Sequence, residues 1–338
     1  MKIVVLDGYT ENPGDLSWKD LEALGETTIY DRTPVELVEE RIGDAEIVIT
    51  NKTPIDKEIF EKCQNIKYVG VLATGYNVVD VNTAAEKGIP VCNIPTYGTT
   101  AVAQMVFALL LEICHHVGTH SEAVKMGEWS NNVDWCFWKY PLIELAGKTM
   151  GIVGFGRIGK AVGRLAKAFG MNVLAYDEYE NEEGKAIADY VTLDELYTKS
   201  DVISLHCPLF PATTGMICKE SIAKMKDGVR ILNFARGDLA DNEAVLSAVA
   251  DGKIAKYITD FAAPELLDVE NVIVTPHLGA STPESEDNCA KLAADEIKDY
   301  LENGNIKNSV TLPAVSMVRG TGTRICVIHK NVPNMISA

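Results

Sequence analysis

Residues 151–159 read GIVGFGRIG, and this short stretch restricts the fold more than any other part of the chain. Thr149–Val153 is an apolar run suited to a buried strand. Gly154-x-Gly156-x-x-Gly159 follows it, and Gly159–Phe169 then has helical spacing. The first glycine permits a tight turn, the second lets a pyrophosphate approach the backbone, and the third lets helix and strand pack closely, with the helix N-terminus facing the phosphates. The next strand, Asn172–Tyr176, runs into Asp177, about 20 residues past the loop, where an acid meets ribose hydroxyls. A glycine pattern alone would equally mark a structural turn. Strand, loop, helix, strand and acid together read as a dinucleotide site. Asp177 repels a 2′-phosphate, Glu178, Glu180, Glu182 and Glu183 follow it, and no arginine stands ready, so NAD is favoured over NADP.

Similar alternation runs through the rest of the chain. Lys2–Leu6, Glu46–Ile49, Lys67–Val71 and Pro90–Asn93 read as strands, with helical spacing at Pro34–Ile42, Asp56–Cys63 and Val81–Lys87. After a long, largely apolar helix at Thr99–Val117 and an aromatic loop at Asn131–Tyr140, a second series begins at Lys148. Its further strands are Asp201–Leu205, Arg230–Asn233, Lys256–Thr259 and Val272–Thr275, and its further helices are Leu193–Lys199, Ser221–Met225 and Asn242–Ala250. Glu284–Glu302 is amphipathic and stops at Asn303-Gly304; it is expected to pack back on the first domain. The fold class is α/β, with two doubly wound parallel-sheet domains covered on both faces, and 338 residues suit two domains.

Composition narrows the function. With 31 basic and 48 acidic residues the formal net charge is −17, which repels phosphate backbones and anionic lipid and argues against nucleic-acid or membrane partners. An anionic substrate would therefore need local positive charge. Cys63, Cys92, Cys114, Cys136, Cys207, Cys218, Cys289 and Cys326 form no C-x-x-C pair and no metal-ligand spacing, so they read as reduced thiols of a cytoplasmic protein without a metal. The N-terminus enters a strand directly, without a signal peptide, and the longest apolar run, Met105–Leu111, is too short to span a bilayer.

Three polar residues sit at or just beyond strand ends of the second series: Arg236 in ARGD, Glu265 after TDFAAP and His277 after VIVTP. Ligands of open α/β sheets bind at those carboxyl ends. Reduction of a keto acid needs a cation for the carboxylate, which the guanidinium fork of Arg236 suits, and a proton donor at the carbonyl, which His277 suits. A carboxylate beside the imidazole would favour its protonated form and fix its tautomer, a role for Glu265. Singly, each would more often be a solvated or salt-bridged loop residue; their order behind a dinucleotide loop carries the reading. His115, His116 and His120 lie on or beside a helix without a partner motif, and His206, at a strand end, is expected to line the cofactor.

With ATGYNVVD at 73–80, GFGRIG at 154–159, LHCPL at 205–209, NFARG at 233–237, TDF at 259–261 with Glu265, and PHLGAS at 276–281, the chain resembles the D-2-hydroxyacid dehydrogenase family over about residues 1–312. The resemblance implies flavodoxin-like and Rossmann-like domains with a cleft between them and a homodimer built on the cofactor domains. It implies Arg236, Glu265 and His277 as a catalytic trio, and cofactor contacts from Arg157, Ile158, Asp177, Cys207, Phe234, Ala235, Arg236, Thr74 and Asp260, the last near the nicotinamide amide. The backbone of Ala73, Thr74 and Gly75 would meet the substrate carboxylate. The expected division is 1–98 plus 285–314 for the substrate domain, 99–284 for the NAD domain, and 315–338 for a linker and tail. Up to about residue 225 the chain is similar to glycerate dehydrogenases, also called hydroxypyruvate reductases. From about 226 it is similar to short phosphoglycerate dehydrogenases, with a tail like the start of an ACT domain. That tail is expected to contribute nothing to catalysis.

The loop from Glu265 to His277 is shorter than in most of the family, and no tryptophan follows the histidine's LGAS. Neither Thr50 nor Leu72 is basic, where arginines often hold a phosphate, though Lys52 is close. The expected activity is thus NAD-dependent interconversion of a small 2-keto acid and a D-2-hydroxy acid, hydroxypyruvate or glyoxylate first. The alternatives are phosphoglycerate dehydrogenation and a non-catalytic, NAD-sensing corepressor-like protein.

Overall fold

Aliphatic and β-branched runs form parallel strands where both faces of a sheet are covered, because each side chain then meets protein rather than water. The computed structural model describes residues 1–11, 16–323 and 325. The chain divides into two compact units, Met1–Gly98 with the chain from Ser281 onward, and Thr99–Ala280.

The first unit holds β1 (Lys2–Val5), β2 (Glu26–Ile29), β3 (Ile47–Thr50), β4 (Tyr68–Val71) and β5 (Val91–Asn93), all parallel, in the order β2-β1-β3-β4-β5. Every residue of β3, β4 and β5 is buried, so these strands read as continuous apolar runs. The strand order reverses between β1 and β3. At their carboxyl ends the buried Asp7 carboxylate accepts hydrogen bonds from the backbone N–H groups of Asn51 (2.8 Å), Lys52 (2.7 Å) and Thr53 (2.6 Å), and from the Thr53 hydroxyl (2.8 Å). One side chain thereby fixes the loop after β3.

The helix Pro283–Asn303 completes this unit. Thr282 caps it by accepting from Ser285 N at 3.2 Å, Pro283 occupies its first turn, and Gly304, at φ +64°, stops it in the left-handed conformation. Cys289, Ala293, Ala294 and Ile297 recur at helical spacing and pack with Ile3, Val5, Ile47, Ile49 and Tyr68 of the sheet. Full burial of Ile297 contributes about 1.5–3 kcal/mol, and truncating it to alanine would leave a cavity over Gly70, whose backbone it faces.

The second unit holds β6 (Thr149–Val153), β7 (Asn172–Tyr176), β8 (Asp189–Tyr190), β9 (Val202–Leu205), β10 (Val229–Asn233), β11 (Ile254–Thr259) and β12 (Val272–Val274). They form one parallel sheet in the order β12-β11-β10-β9-β6-β7-β8. The order reverses between β6 and β9, which defines the crevice of a doubly wound sheet. The helix Thr99–His115 belongs to this unit, burying Ala103, Val106, Phe107, Leu110 and Cys114 with Val162 and Ala166 of the helix Arg157–Ala168.

Expectation and structure differ in identifiable places. β2 and β8 are absent from the sequence reading. Both are sheet edges; β2 is a polar ETTI run and β8 has two residues, so neither carries an apolar stripe. The long helix expected over Thr99–Val117 ends at His115: His116 takes φ +46°, its ring packs 4.4 Å from that of Tyr140, and Val117–Lys125 leaves at 52°. Among the described residues no single helix is long and apolar enough to cross a membrane. The stretch expected as a linker from Val315 begins as a paired segment, since Val315 and Ile306 exchange backbone hydrogen bonds of 2.7 and 3.0 Å. The strand expected over residues 324–330 lies, Ile325 apart, outside the described residues, as does Cys326.

Candidate active site

The glycine-rich turn is built where β6 and β9 diverge. Gly154 takes φ +89°, and a Cβ there would lie 2.4 Å from Cys207 N, so only glycine lets the turn nest against the segment after β9. A Cβ on Gly159 would lie 2.2 Å from Gly154 O, which explains the close approach of helix to strand. Gly156 is exposed with nothing within 4 Å of its Cβ position. It caps the helix Arg157–Ala168 and, having no side chain, supplies no acceptor of its own to the first N–H groups of that helix. Arg157 is exposed and Ile158 half-buried at the same turn. Asp177 follows β7 directly; its Oδ2 accepts from Phe155 N at 2.6 Å and its Oδ1 from Tyr179 N at 3.0 Å.

Arg236 lies in the loop after β10. Buried Asn233 braces that loop, donating from Nδ2 to Arg236 O at 2.9 Å and accepting from Ala235 N at 3.2 Å. The guanidinium donates to Ala235 O at 2.6 Å, and none of the ion pairs among the described residues engages it. It is therefore a half-buried cation able to take a carboxylate. Phe234 is buried and Ala235 half-buried beside it.

His277 follows β12 with φ +57°, a conformation uncommon for a residue with a Cβ and a form of stored backbone strain. Its N–H bonds back to Thr275 O at 2.9 Å, and its ring meets Phe261 edge-on at 4.9 Å. Nδ1 lies 3.3 Å from Oδ2 of Asp260, which is 4% exposed. A carboxylate only accepts, so this contact favours the tautomer with hydrogen on Nδ1.

Sequence reasoning gave that position to Glu265, and here the structure differs. β11 and β12 pair with Thr259 opposite Val274, so the residues just beyond the two strands, Asp260 and His277, become neighbours. Glu265 lies in the short 3-10 turn Pro264–Leu266, and its carboxylate accepts from Asn242 Nδ2 at 2.8 Å, which holds its pKa below the ordinary carboxylate range. The signal for Asp260 was its place immediately after a strand. That residue was read only as a cofactor contact.

Two other expected residues follow β9. Half-buried His206 turns Nε2 to Ser204 Oγ at 2.8 Å, and desolvation pushes its pKa down to about 3, so its imidazole is neutral. Cys207 is buried with Sγ 3.6 Å from Met216 Sδ. In the first unit, Ala73, Thr74 and Gly75 follow β4. Ala73 is buried, Thr74 is exposed with Oγ1 donating to Ile94 O at 3.2 Å, and Thr74 O accepts from Asn93 Nδ2 at 2.6 Å.

These features fit a dinucleotide. The uncapped helix N-terminus suits a pyrophosphate, Asp177 directly follows the second strand of its unit, and Asp260 Oδ1 is buried without a hydrogen-bond partner, an acceptor suited to an amide N–H.

Residues 107–279 match the family model of the D-isomer specific 2-hydroxyacid dehydrogenase, NAD binding domain. A hydroxypyruvate reductase of Blautia hydrogenotrophica is 57% identical over 317 residues, 90% of this chain and 98% of that protein. A D-3-phosphoglycerate dehydrogenase of Methanocaldococcus jannaschii is 35% identical over 325 residues, 93% of this chain but 60% of its own length. The crystal structure of D-lactate dehydrogenase from Aquifex aeolicus complexed with NAD and lactic acid superposes with a TM-score of 0.78 at 28% identity, covering 93% of this chain and all of the other. By this match and the 57% relative, the chain belongs to the D-isomer specific 2-hydroxyacid dehydrogenase family, and residues 107–279 are its NAD-binding domain.

Proposed function

We propose that this protein reduces hydroxypyruvate and glyoxylate to the corresponding D-2-hydroxy acids with NADH. The observation that carries this is the 57% identity to a hydroxypyruvate reductase over 98% of that enzyme's length. Two strand-end positions support it. Thr50 is fully buried, with its hydroxyl donated to Thr53 O at 2.8 Å, and Leu72 is 1% exposed in the core, so neither offers charge to a phosphate.

Arg236 binds the substrate carboxylate; in the first unit, the backbone of Ala73–Gly75 is the proposed substrate contact. NADH, when bound, supplies the hydride that reduces the carbonyl carbon. His277 gives the carbonyl oxygen its proton from Nε2, with Nδ1 turned to Asp260. Glu265 is the third member of the proposed trio; to serve the imidazole it must leave Asn242 and take Nδ1 of His277, the nitrogen that faces Asp260 here. For the cofactor, the backbone at Gly154, Gly156 and Gly159 with Arg157 and Ile158 holds the pyrophosphate, and Asp177 the adenine ribose. Cys207, Phe234 and Ala235 line the dinucleotide, Thr74 approaches it, and Asp260 accepts from the nicotinamide amide. The free described thiols fit a reducing, cytoplasmic setting.

The test is a substrate panel. kcat/KM for hydroxypyruvate or glyoxylate should exceed that for phosphohydroxypyruvate by at least about tenfold, the scale of one missing charge-assisted contact. The opposite ranking would assign the protein to phosphoglycerate oxidation.

The same reading includes a homodimer. Val133, Trp135, Trp138 and Leu142 are 99%, 83%, 68% and 59% exposed. They sit on a loop fixed by Trp129 Nε1 donating to Trp135 O at 2.8 Å and Lys139 N donating to His120 at 3.0 Å. An ordered apolar loop this exposed is suited to burial against a second copy. Sedimentation should give a dimer, and the double variant Trp135→Glu/Trp138→Glu a monomer. A wild-type monomer at micromolar concentration would refute the dimer.

A further inference from the structure

The segment after β7 folds back to engage two cations of the helix that precedes that strand. Lys160 and Arg164 stand one turn apart on the helix Arg157–Ala168. Both are paired with one carboxylate: Lys160 Nζ with Glu183 Oε2, and Arg164 Nη2 with Glu183 Oε1 at 2.5 Å. The Lys160 side chain is only 15% exposed, so it is directed along the protein surface rather than into water.

A chain of contacts links this ion-pair triad to Asp177. Phe155, whose N–H binds Asp177, packs edge-on to Tyr190 of β8 at 5.7 Å. Gly184, next to Glu183, is pressed so closely on the Tyr190 hydroxyl that a Cβ would lie 2.1 Å from it. Asn181 caps the short helix Glu182–Lys185 by accepting from Gly184 N at 2.9 Å. Glu183 is thus held in place by its own backbone, with Lys160 and Arg164 drawn to it.

A 2′-phosphate on the adenine ribose would bring close to two negative charges to this corner, and such a group is held by Lys or Arg. We propose that Glu183 is a second specificity-determining residue: by engaging Lys160 and Arg164 it withholds them from a 2′-phosphate and reinforces the exclusion of NADP begun at Asp177. This rests on the reading of the Gly154–Asp177 unit as the NAD site and extends it to residues outside the glycine motif.

The test uses the full chain and two fragments, adenosine 5′-monophosphate and adenosine 2′,5′-bisphosphate, titrated by calorimetry. Glu183→Gln should bind the bisphosphate about fivefold more tightly, the scale of one exposed charge pair, and the monophosphate as the wild type does. The gain should shrink with added salt and vanish in Glu183→Gln/Lys160→Met/Arg164→Met. An unchanged bisphosphate affinity in Glu183→Gln, or a gain that survives loss of both cations, would overturn the proposal. If the wild type binds neither fragment, the adenosine assignment beneath it falls as well.

Discussion

His277→Ala will lower kcat for keto-acid reduction by roughly 10²–10⁴-fold, the usual contribution of a positioned general acid, while NADH affinity stays near wild type. The expectation rests on three observations. His277 is held at φ +57° by the turn after β12, Asp260 faces its Nδ1 at 3.3 Å, and its ring is flanked by Phe261. Nε2 is then the nitrogen left to donate. Proton transfer matters in the transition state, so the loss should fall on kcat more than KM. Arg236→Ala should behave differently, raising KM for the keto acid as well as lowering kcat, because in the proposed role its guanidinium would hold the carboxylate in both ground and transition states. Steady-state kinetics with NADH and hydroxypyruvate measure both. Near-wild-type kcat in folded His277→Ala would exclude it as the proton donor. The companion pair, Asp260→Asn and Glu265→Gln, asks which carboxylate serves the imidazole, and the geometry expects the larger loss from Asp260.

Gly154→Ala will destabilise the protein by about 3–5 kcal/mol, combining a side chain in the left-handed region with overpacking against backbone. At φ +89° the added methyl would lie 2.4 Å from Cys207 N and 2.5 Å from the His206 carbonyl carbon, and neither is the flexible end of a side chain. β6 and β9 would have to separate at the crevice. Gly156→Ala offers the contrast: its Cβ position is open, so stability should hold while NADH binding weakens through steric conflict with the pyrophosphate. Urea denaturation and NADH fluorescence titration separate the two effects. A Gly154→Ala midpoint equal to wild type would show that the turn relaxes freely.

Much of the architecture was readable because burial on both sheet faces imposes a local pattern. β6 and β7 have the bounds expected from their apolar runs, and Asn303-Gly304 ends the last long helix where its left-handed cap requires. The edge strands β2 and β8 escaped because an edge needs no apolar stripe. His116 escaped because a left-handed residue other than glycine leaves no mark in hydrophobic spacing. In the candidate site, Arg236 and His277 were legible as polar residues at strand ends. The closeness of Asp260 to His277 was not, because it is set by the register of β11 on β12, whereas Glu265 suited the imidazole by its place after TDFAAP and its charge. Glu183 is legible as one of the acids after Asp177, but its pairing with Lys160 and Arg164 is not, since it depends on a fold-back of some twenty residues. The apparent mosaic also has a simpler description, as one relative aligns over 317 residues and so spans both parts of it.

The first unit is sewn from two distant segments, and this sets a timetable for synthesis. The sheet residues Ile3, Val5, Ile47, Ile49 and Tyr68 leave the ribosome early, but Cys289, Ala293, Ala294 and Ile297, which cover them, emerge only after the whole of Thr99–Ala280. At roughly 5–20 residues per second the nascent sheet waits about 10–40 s with one apolar face uncovered. The intervening unit is contiguous and can close during that interval. Ribosome-bound chains stalled before Ser281 should therefore hold a protease-resistant second unit and a first unit that still recruits chaperones.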